Sequence, residues 1–240
     1  IPENYGGIEL GAIDLIPVME ELGRAVMPDV YAETLAFAVP LLVEHGTEQQ
    51  KEAYLSSIAE GASLLGLAWL EPEGKYSFDA VKTTVTKTSN GFILNGTKSL
   101  VRHTVQVTDF IVLAKDEDDE LRMFIVRKDQ VTKIEVQKSF DETQQFVQLT
   151  FDQVALTTEQ QLAAGANVED VMEKALLSLL VAINSMMIGS MDRLVDMATE
   201  YAKIREQFGQ PIGRFQAIKH RLADLKVMLE TARALSHYAT

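Results

Sequence analysis

Arg205-Glu-Gln-Phe-Gly-Gln-Pro-Ile-Gly-Arg-Phe-Gln216 joins two long helical patterns, at 167–204 and 215–238. A helix ending in Arg205, a turn carrying Gly209, Pro211 and Gly213, and a helix opening on Phe215-Gln216 bring a cation, an aromatic face and an amide together. That set suits a large anionic ligand with flat rings, such as a dinucleotide. The same residues also read as an ordinary helix–helix connection with a solvated arginine.

Working outward, the apolar period divides the chain into three regions. Residues 12–61 read as helical: Ile13, Ile16, Met19, Leu22 and Val26 recur every three or four positions, with Gly23 as a flaw and Pro28 as the stop. Leu35–Val43 continues as an apolar helix despite Pro40. Thr47 is a good N-cap for 48–59, and Gln50 completes a capping box. From Ser63 to Leu156 the period is two. Thr83, Val85 and Thr86 lead into the turn Ser89-Asn90-Gly91, and Phe92, Ile93 and Leu94 return. Phe110–Ala114 and Met123–Val126 flank the acidic run 116–120, read as a solvated hairpin tip because like charges in a turn stay in water. Ile134, Val136 and Phe146–Leu156 add strands, and the set suggests a small β-barrel or sandwich. After Ala164-Gly165-Ala166 helix returns, with Val171, Ala175, Leu179, Ala182, Met186, Gly189, Leu194 and Met197 marking one buried face.

Composition narrows the function classes. The 240 residues are 47% hydrophobic and 24% charged, enough for a sizeable core. A net charge of −13 with no basic stripe argues against a nucleic-acid partner. Zero cysteines exclude disulfides, thiol catalysis and Cys-ligated metals. The histidines, His45, His103, His220 and His237, have no ligand spacing, so no metal site is expected. The longest uncharged run, 175–191, is shorter than the ~20 residues that span a bilayer, and it reads as a buried helix rather than a transmembrane segment. No signal peptide is visible, and the expected location is the cytoplasm, or the mitochondrial matrix in a eukaryote.

Several stretches carry a resemblance. Arg205–Gln216 resembles the Arg-x-x-Phe-Gly-x-x-Ile-x-x-Phe-Gln signature of the acyl-CoA dehydrogenase family of flavoproteins. Ile1-Pro-Glu-Asn-Tyr-Gly-Gly7 is similar to its Pro-Glu-x-Tyr-Gly-Gly segment, and His45-Gly-Thr-Glu-Gln-Gln-Lys51 with Tyr54-Leu55 to its Gly-Thr-Glu-Glu-Gln-Lys…Tyr-Leu helix. Leu70-Glu-Pro72 stands at its Thr-Glu-Pro, and Phe92-Ile-Leu-Asn-Gly-Thr-Lys98 at its Asn-Gly-x-Lys hairpin. Each motif alone is weak, but five in order and spacing identify a member of the family. The resemblance implies an α+β chain: N-terminal helices at 1–62, a middle antiparallel β-barrel or sandwich at 63–156, and a C-terminal helical bundle at 157–240. It also implies truncation at both ends, since Ile1 falls inside a motif and two helices of the family would follow Thr240.

The activity so implied is oxidation of an acyl-CoA thioester to its enoyl form in fatty acid metabolism. A carboxylate takes the α-proton, and the β-hydride goes to FAD. The family's base lies either on a loop beyond Thr240 or, counted back from Arg205, at Leu179, which cannot accept a proton. No catalytic residue is named. The resemblance assigns cofactor contacts to Arg205, Glu206, Gln207, Phe208, Phe215 and Gln216, which reach a partner subunit's FAD, and to Leu70 and Arg102 at the chain's own flavin.

Those last positions depart from the pattern. Leu70 replaces a hydroxyl donor, Glu73-Gly-Lys-Tyr-Ser77 lacks two glycines of the loop that follows, and Leu100-Val101-Arg102 replaces Trp-x-Thr. Trp69 reads as core. Contacts owed to a neighbour are kept and those for the chain's own flavin are altered. Four readings follow: an ordinary FAD-dependent dehydrogenase; a degenerate subunit of a hetero-oligomer that completes its partner's FAD site; a non-catalytic acyl-CoA- or protein-binding homologue; and a flavin monooxygenase on the same fold. The apolar surplus of the last helices implies a homo- or hetero-oligomer.

Overall fold

A computed structural model describes residues 1–28, 30–73, 75–102 and 106–239. Gly74, His103 and Thr240, three residues of the sequence reading, lie outside the described residues. The chain forms two compact units, one of Ile1–Leu10 with Pro28–Leu179, the other of Gly11–Met27 with Leu180–Thr240.

The first unit opens its helical part with a π-turn, Glu33–Ala38, that runs into α2, Val39–His45. The widened turn answers the problem posed by Pro40, which lacks an N–H and crowds the turn before it. α3, Glu48–Ala59, begins as expected: Gln50 N donates to Thr47 Oγ1 at 3.2 Å and Thr47 N to Gln50 Oε1 at 3.0 Å. The same Gln50 also donates through Nε2 to the carbonyls of Glu159 and Gln161, so the cap anchors α3 to the sheet.

Among the described residues, β1 Leu64–Ala68, β2 Thr84–Thr88, β3 Gly91–Arg102, β4 Val107–Lys115, β5 Leu121–Arg127, β6 Lys133–Gln137, β7 Phe146–Leu156 and β8 Gln161–Leu162 form one sheet. Its order is β6-β7-β3-β2-β4-β5-β8, with β1 on β4. The fold class stands as expected, with one difference: β1 pairs with β4 in parallel, and β2 touches β4 in parallel at Thr84 and Lys115. Parallel neighbours need a long crossover, and the β2–β3 hairpin supplies it. All five residues of β1 are buried, which is why no alternation announces this strand. β8 lies beyond residue 156. The core of the sheet packs Phe110, Phe124, Leu94, Leu149 and Phe151 together. The acidic run is a hairpin tip, where Asp116 Oδ1 accepts from the amides of Asp118 and Glu120.

The second unit holds α1, Ala12–Arg24, the greater part of α4, Val168–Ile204, and α5, Gln216–Tyr238. α1 stops before Pro28, at Arg24, because Val26 turns into the left-handed region at φ +51°. Gly23 is no flaw. A Cβ there would lie 1.9 Å from Met186 O, and one on Gly189 would lie 1.8 Å from Glu20 O, so two glycines let the α1 and α4 backbones touch. Ser190 Oγ donates to Gly23 O at 2.8 Å, Arg24 bridges Asp192 and Asp196, and Arg233 reaches Glu20.

Two expectations for α4 need correction. Leu194 and Met197 are exposed in this chain, not part of a buried face, whereas Ala202 in the last turn of α4 is buried. By length and composition the helix is also apolar enough to cross a membrane. The helix is longer than its uncharged run, so the run's length alone was too strict a measure. Ala175, Ala182, Ser185 and Ile188 are nevertheless buried inside the fold, as in a core helix.

Candidate functional site

α4 ends at Ile204, and Arg205 N donates to Tyr201 O at 2.9 Å to close its last turn. The chain then forms a miniature hairpin, β9 Glu206–Gln207 against β10 Gln210–Pro211. Its two turn residues, Phe208 and Gly209, both have left-handed backbones, φ +54° and +77°, as a two-residue hairpin demands. Glycine meets that demand freely, but phenylalanine does not. The strained position holds the Phe208 ring 93% exposed, edge-on to Phe215 with centroids 6.1 Å apart. Ile212 N donates to Arg205 O, which fixes the base of the loop. Arg205, Glu206, Gln207 and Gln216 are exposed, and the Arg205 side chain makes no hydrogen bond or ion pair among the described residues. The turn thus leaves the Arg205 guanidinium without a partner among the described residues and the Phe208 ring exposed, with Gln216 exposed at the start of α5.

Leu70 and Arg102 lie in the other unit, after β1 and at the end of β3. Ser99 N donates to Leu70 O at 2.8 Å. Below that contact Lys98 Nζ, fully buried, lies 2.9 Å from Glu71 Oε1 and donates to Trp69 O. Glu71 Oε1 also accepts from Thr83 N and Thr83 Oγ1. Burial alone would raise the Glu71 carboxyl, but the Lys98 charge and these donors outweigh it and hold the group below the usual range. Burial pulls Lys98 down to about 8 against the opposing charge of Glu71. Trp69 is half-buried rather than core, packed against Tyr76 and Phe78 at 5.9 and 5.8 Å.

Leu100 is a bulge residue at φ +53°, 47% exposed, and its amide donates to Gln137 Oε1 at 2.7 Å. Arg102 turns toward Glu33, with Nε 3.9 Å from Oε1. Burial pushes the Glu33 carboxyl up to about 7, while the Leu67 amide and the Arg102 charge pull the other way. The position counted for a base, Leu179, is buried and apolar. No acidic and histidine cluster fit for a metal occurs among the described residues.

Sequence reasoning missed Glu33 and Gln137, and it missed the pairing of Glu71 with Lys98. Glu33 did carry a signal, as the lone charge in the apolar stretch 30–43. The two units differ in the groups they leave unspent. The hairpin leaves the Arg205 guanidinium unspent among the described residues and exposes a ring, whereas around Leu70 and Arg102 one side chain donates nothing and the other faces a carboxylate.

Residues 1–62 match the family model described as acyl-CoA dehydrogenase, N-terminal domain, and residues 170–240 that described as acyl-CoA dehydrogenase, C-terminal domain. The L-prolyl-[peptidyl-carrier protein] dehydrogenase of Serratia sp. is 28% identical over 258 residues, covering 100% of this chain and 65% of that protein. Butyryl-CoA dehydrogenase from Megasphaera elsdenii superposes with a TM-score of 0.89 at 26% identity, over 99% of this chain and 66% of that one. The structure of PigA with FAD and proline gives a TM-score of 0.86 at 24% identity, over 99% and 65%. The chain spans less than two thirds of the length of the Serratia relative, 65%.

Proposed function

Because this chain belongs to the acyl-CoA dehydrogenase family, we propose that it works in an FAD-dependent oxidoreductase that α,β-dehydrogenates an acyl-CoA thioester. Segments 1–62, 63–156 and 157–240 are then the family's N-terminal, middle and C-terminal parts. FAD, when bound, supplies the acceptor for the β-hydride. This chain's contribution is to bind and orient it. Arg205 suits the pyrophosphate through a charge-assisted contact, and Phe208, Phe215 and Gln216 suit the flat ring and its polar edge, with Glu206 and Gln207 carrying the strand between.

Within such an enzyme, the geometry favours a subunit that completes a partner's FAD site over one that houses its own. The observation that carries this is the contrast between two arginines: Arg205 is exposed and has no partner among the described residues, while Arg102 faces Glu33 at 3.9 Å. Leu70 and Leu179 support the same reading, since neither donates or accepts a proton. Exposed Val227, Met228 and Leu235 on α5 and Leu194 and Met197 on α4 suit burial in a homo- or hetero-oligomer.

The test is flavin stoichiometry. The full-length chain, purified alone and with a related partner chain, is measured by flavin absorbance near 450 nm. Half occupancy in the pair and none alone is expected. One FAD per chain in the isolated protein would support the ordinary dehydrogenase instead.

A further inference from the structure

Arg102 is the last residue of β3 and stands opposite Phe146 of β7. Its carbonyl comes so close to β1 that a Cβ on Gly66 would lie 3.4 Å from it. On β1's other side, the edge not paired with β4, the π-turn uses side chains in place of a strand. Thr34 Oγ1 accepts from Leu65 N at 3.0 Å and donates to Leu65 O at 3.1 Å. Glu33 Oε2 accepts from Leu67 N at 3.0 Å. The Glu33 carboxylate is therefore fixed in place, with its side chain 13% exposed. Its other oxygen faces the Arg102 guanidinium, itself 33% exposed. Among the described residues Arg102 is the one charged group found facing Glu33.

We propose that Glu33 is a positioning residue for Arg102, and that this internal charge pair closes the chain's own pocket to flavin. The proposal rests on the reading above, that this chain's own site is altered. A buried carboxylate without a counter-charge is costly, so Glu33 draws the guanidinium inward, where the family resemblance puts a neutral hydroxyl donor. The two residues act as a unit. Removing Arg102 alone leaves Glu33 buried and unpaired, and removing Glu33 alone leaves a loose cation in the pocket. Neither single change opens the site. The 3.9 Å separation also makes this a looser pair than Lys98 and Glu71 at 2.9 Å, in keeping with a Glu33 carboxyl that burial still holds at about 7.

The experiment uses the full-length chain and three variants: Glu33→Gln, Arg102→Thr and the double variant. Glu33 titration is followed by carboxyl-carbon NMR without flavin, and FAD binding by quenching of FAD fluorescence. Arg102→Thr is expected to move the Glu33 titration to higher pH. The double variant is expected to bind FAD at least about tenfold more tightly than wild type, with each single variant gaining much less. The double variant keeps the test readable should Arg102→Thr alone unfold. An unmoved Glu33 titration, or a double variant that binds no better than a flavin-free wild type, overturns the charge-pair closure and leaves the partner-site reading standing. One FAD per wild-type chain overturns both.

Discussion

Lys98 Nζ and Glu71 Oε1 lie 2.9 Å apart, with the lysine side chain fully buried. The two residues come from separate family-like motifs, Leu70-Glu-Pro72 and Phe92–Lys98, and their meeting is what ties the segment after β1 to β3. With Lys98 also bound to Trp69 O and Ser99 N to Leu70 O, three successive residues, 69–71, are pinned from one strand. The position of Leu70 is thus set by its neighbours' polar contacts, not by its own side chain.

Breaking that pair from one side leaves an uncompensated buried charge. Lys98→Met is expected to lower stability by about 3–5 kcal/mol, measured by denaturant unfolding. Lys98→Met with Glu71→Gln is expected to recover much of the loss, because the glutamine still accepts from Thr83. A double variant no better than the single one would argue that Lys98 acts through Trp69 O alone.

Glu33 makes stability depend on pH. Its folded value of about 7 lies above the ordinary 4.5, so its contribution is complete below about pH 4.5 and is lost as pH rises through about 7. Glu33→Gln cannot ionise and keeps an acceptor for Leu67 N. The variant is expected to exceed wild type in stability near pH 8, by up to about 3 kcal/mol, and to show no advantage near pH 4. Equal pH profiles for the two proteins would contradict this.

Gly189 sits where α4 meets α1. Alanine would gain about 1 kcal/mol of helix propensity but would place its Cβ 1.8 Å from Glu20 O. The backbones must separate, and Gly189→Ala is expected to cost a net of about 2 kcal/mol. A stabilised variant in thermal unfolding would mean that the two helices part without penalty.

Arg205→Ala removes the free guanidinium of the hairpin. Where the chain completes a partner's site, FAD affinity of the assembled protein is expected to fall by about 1.5–3 kcal/mol. Folding should be unaffected, since the loop is held by its backbone through Arg205 O and Ile212 N. Unchanged flavin content in the purified assembly would reduce the turn to a structural connection.

Local features were legible because their partners are near in sequence. Thr47 and Gln50 cap α3 from three residues apart. Ser89 and Asn90 turn β2 into β3, and the acidic run turns β4 into β5. The hairpin at 206–211 formed where Gly209 and Pro211 announced a turn. Fold class followed from the change of period, and β1 escaped only because a strand buried on both faces shows no alternation.

The contrast between the two arginines was only half visible in the sequence. The sequence shows Arg205, and set against the family resemblance it shows that Leu70, Leu100 and Arg102 depart from the pattern. It does not reveal that Arg205 is unpaired among the described residues while Arg102 faces a carboxylate, because Glu33 comes from a distant π-turn on the edge of β1 not paired with β4. Gly23 and Gly189 are likewise ordinary glycines until two helices cross there. Periodicity, caps and turns depend on neighbours a few residues away, so the sequence alone determined them. Which charges are spent and which remain free depends on burial and on contacts between distant segments, and only the tertiary structure decided that.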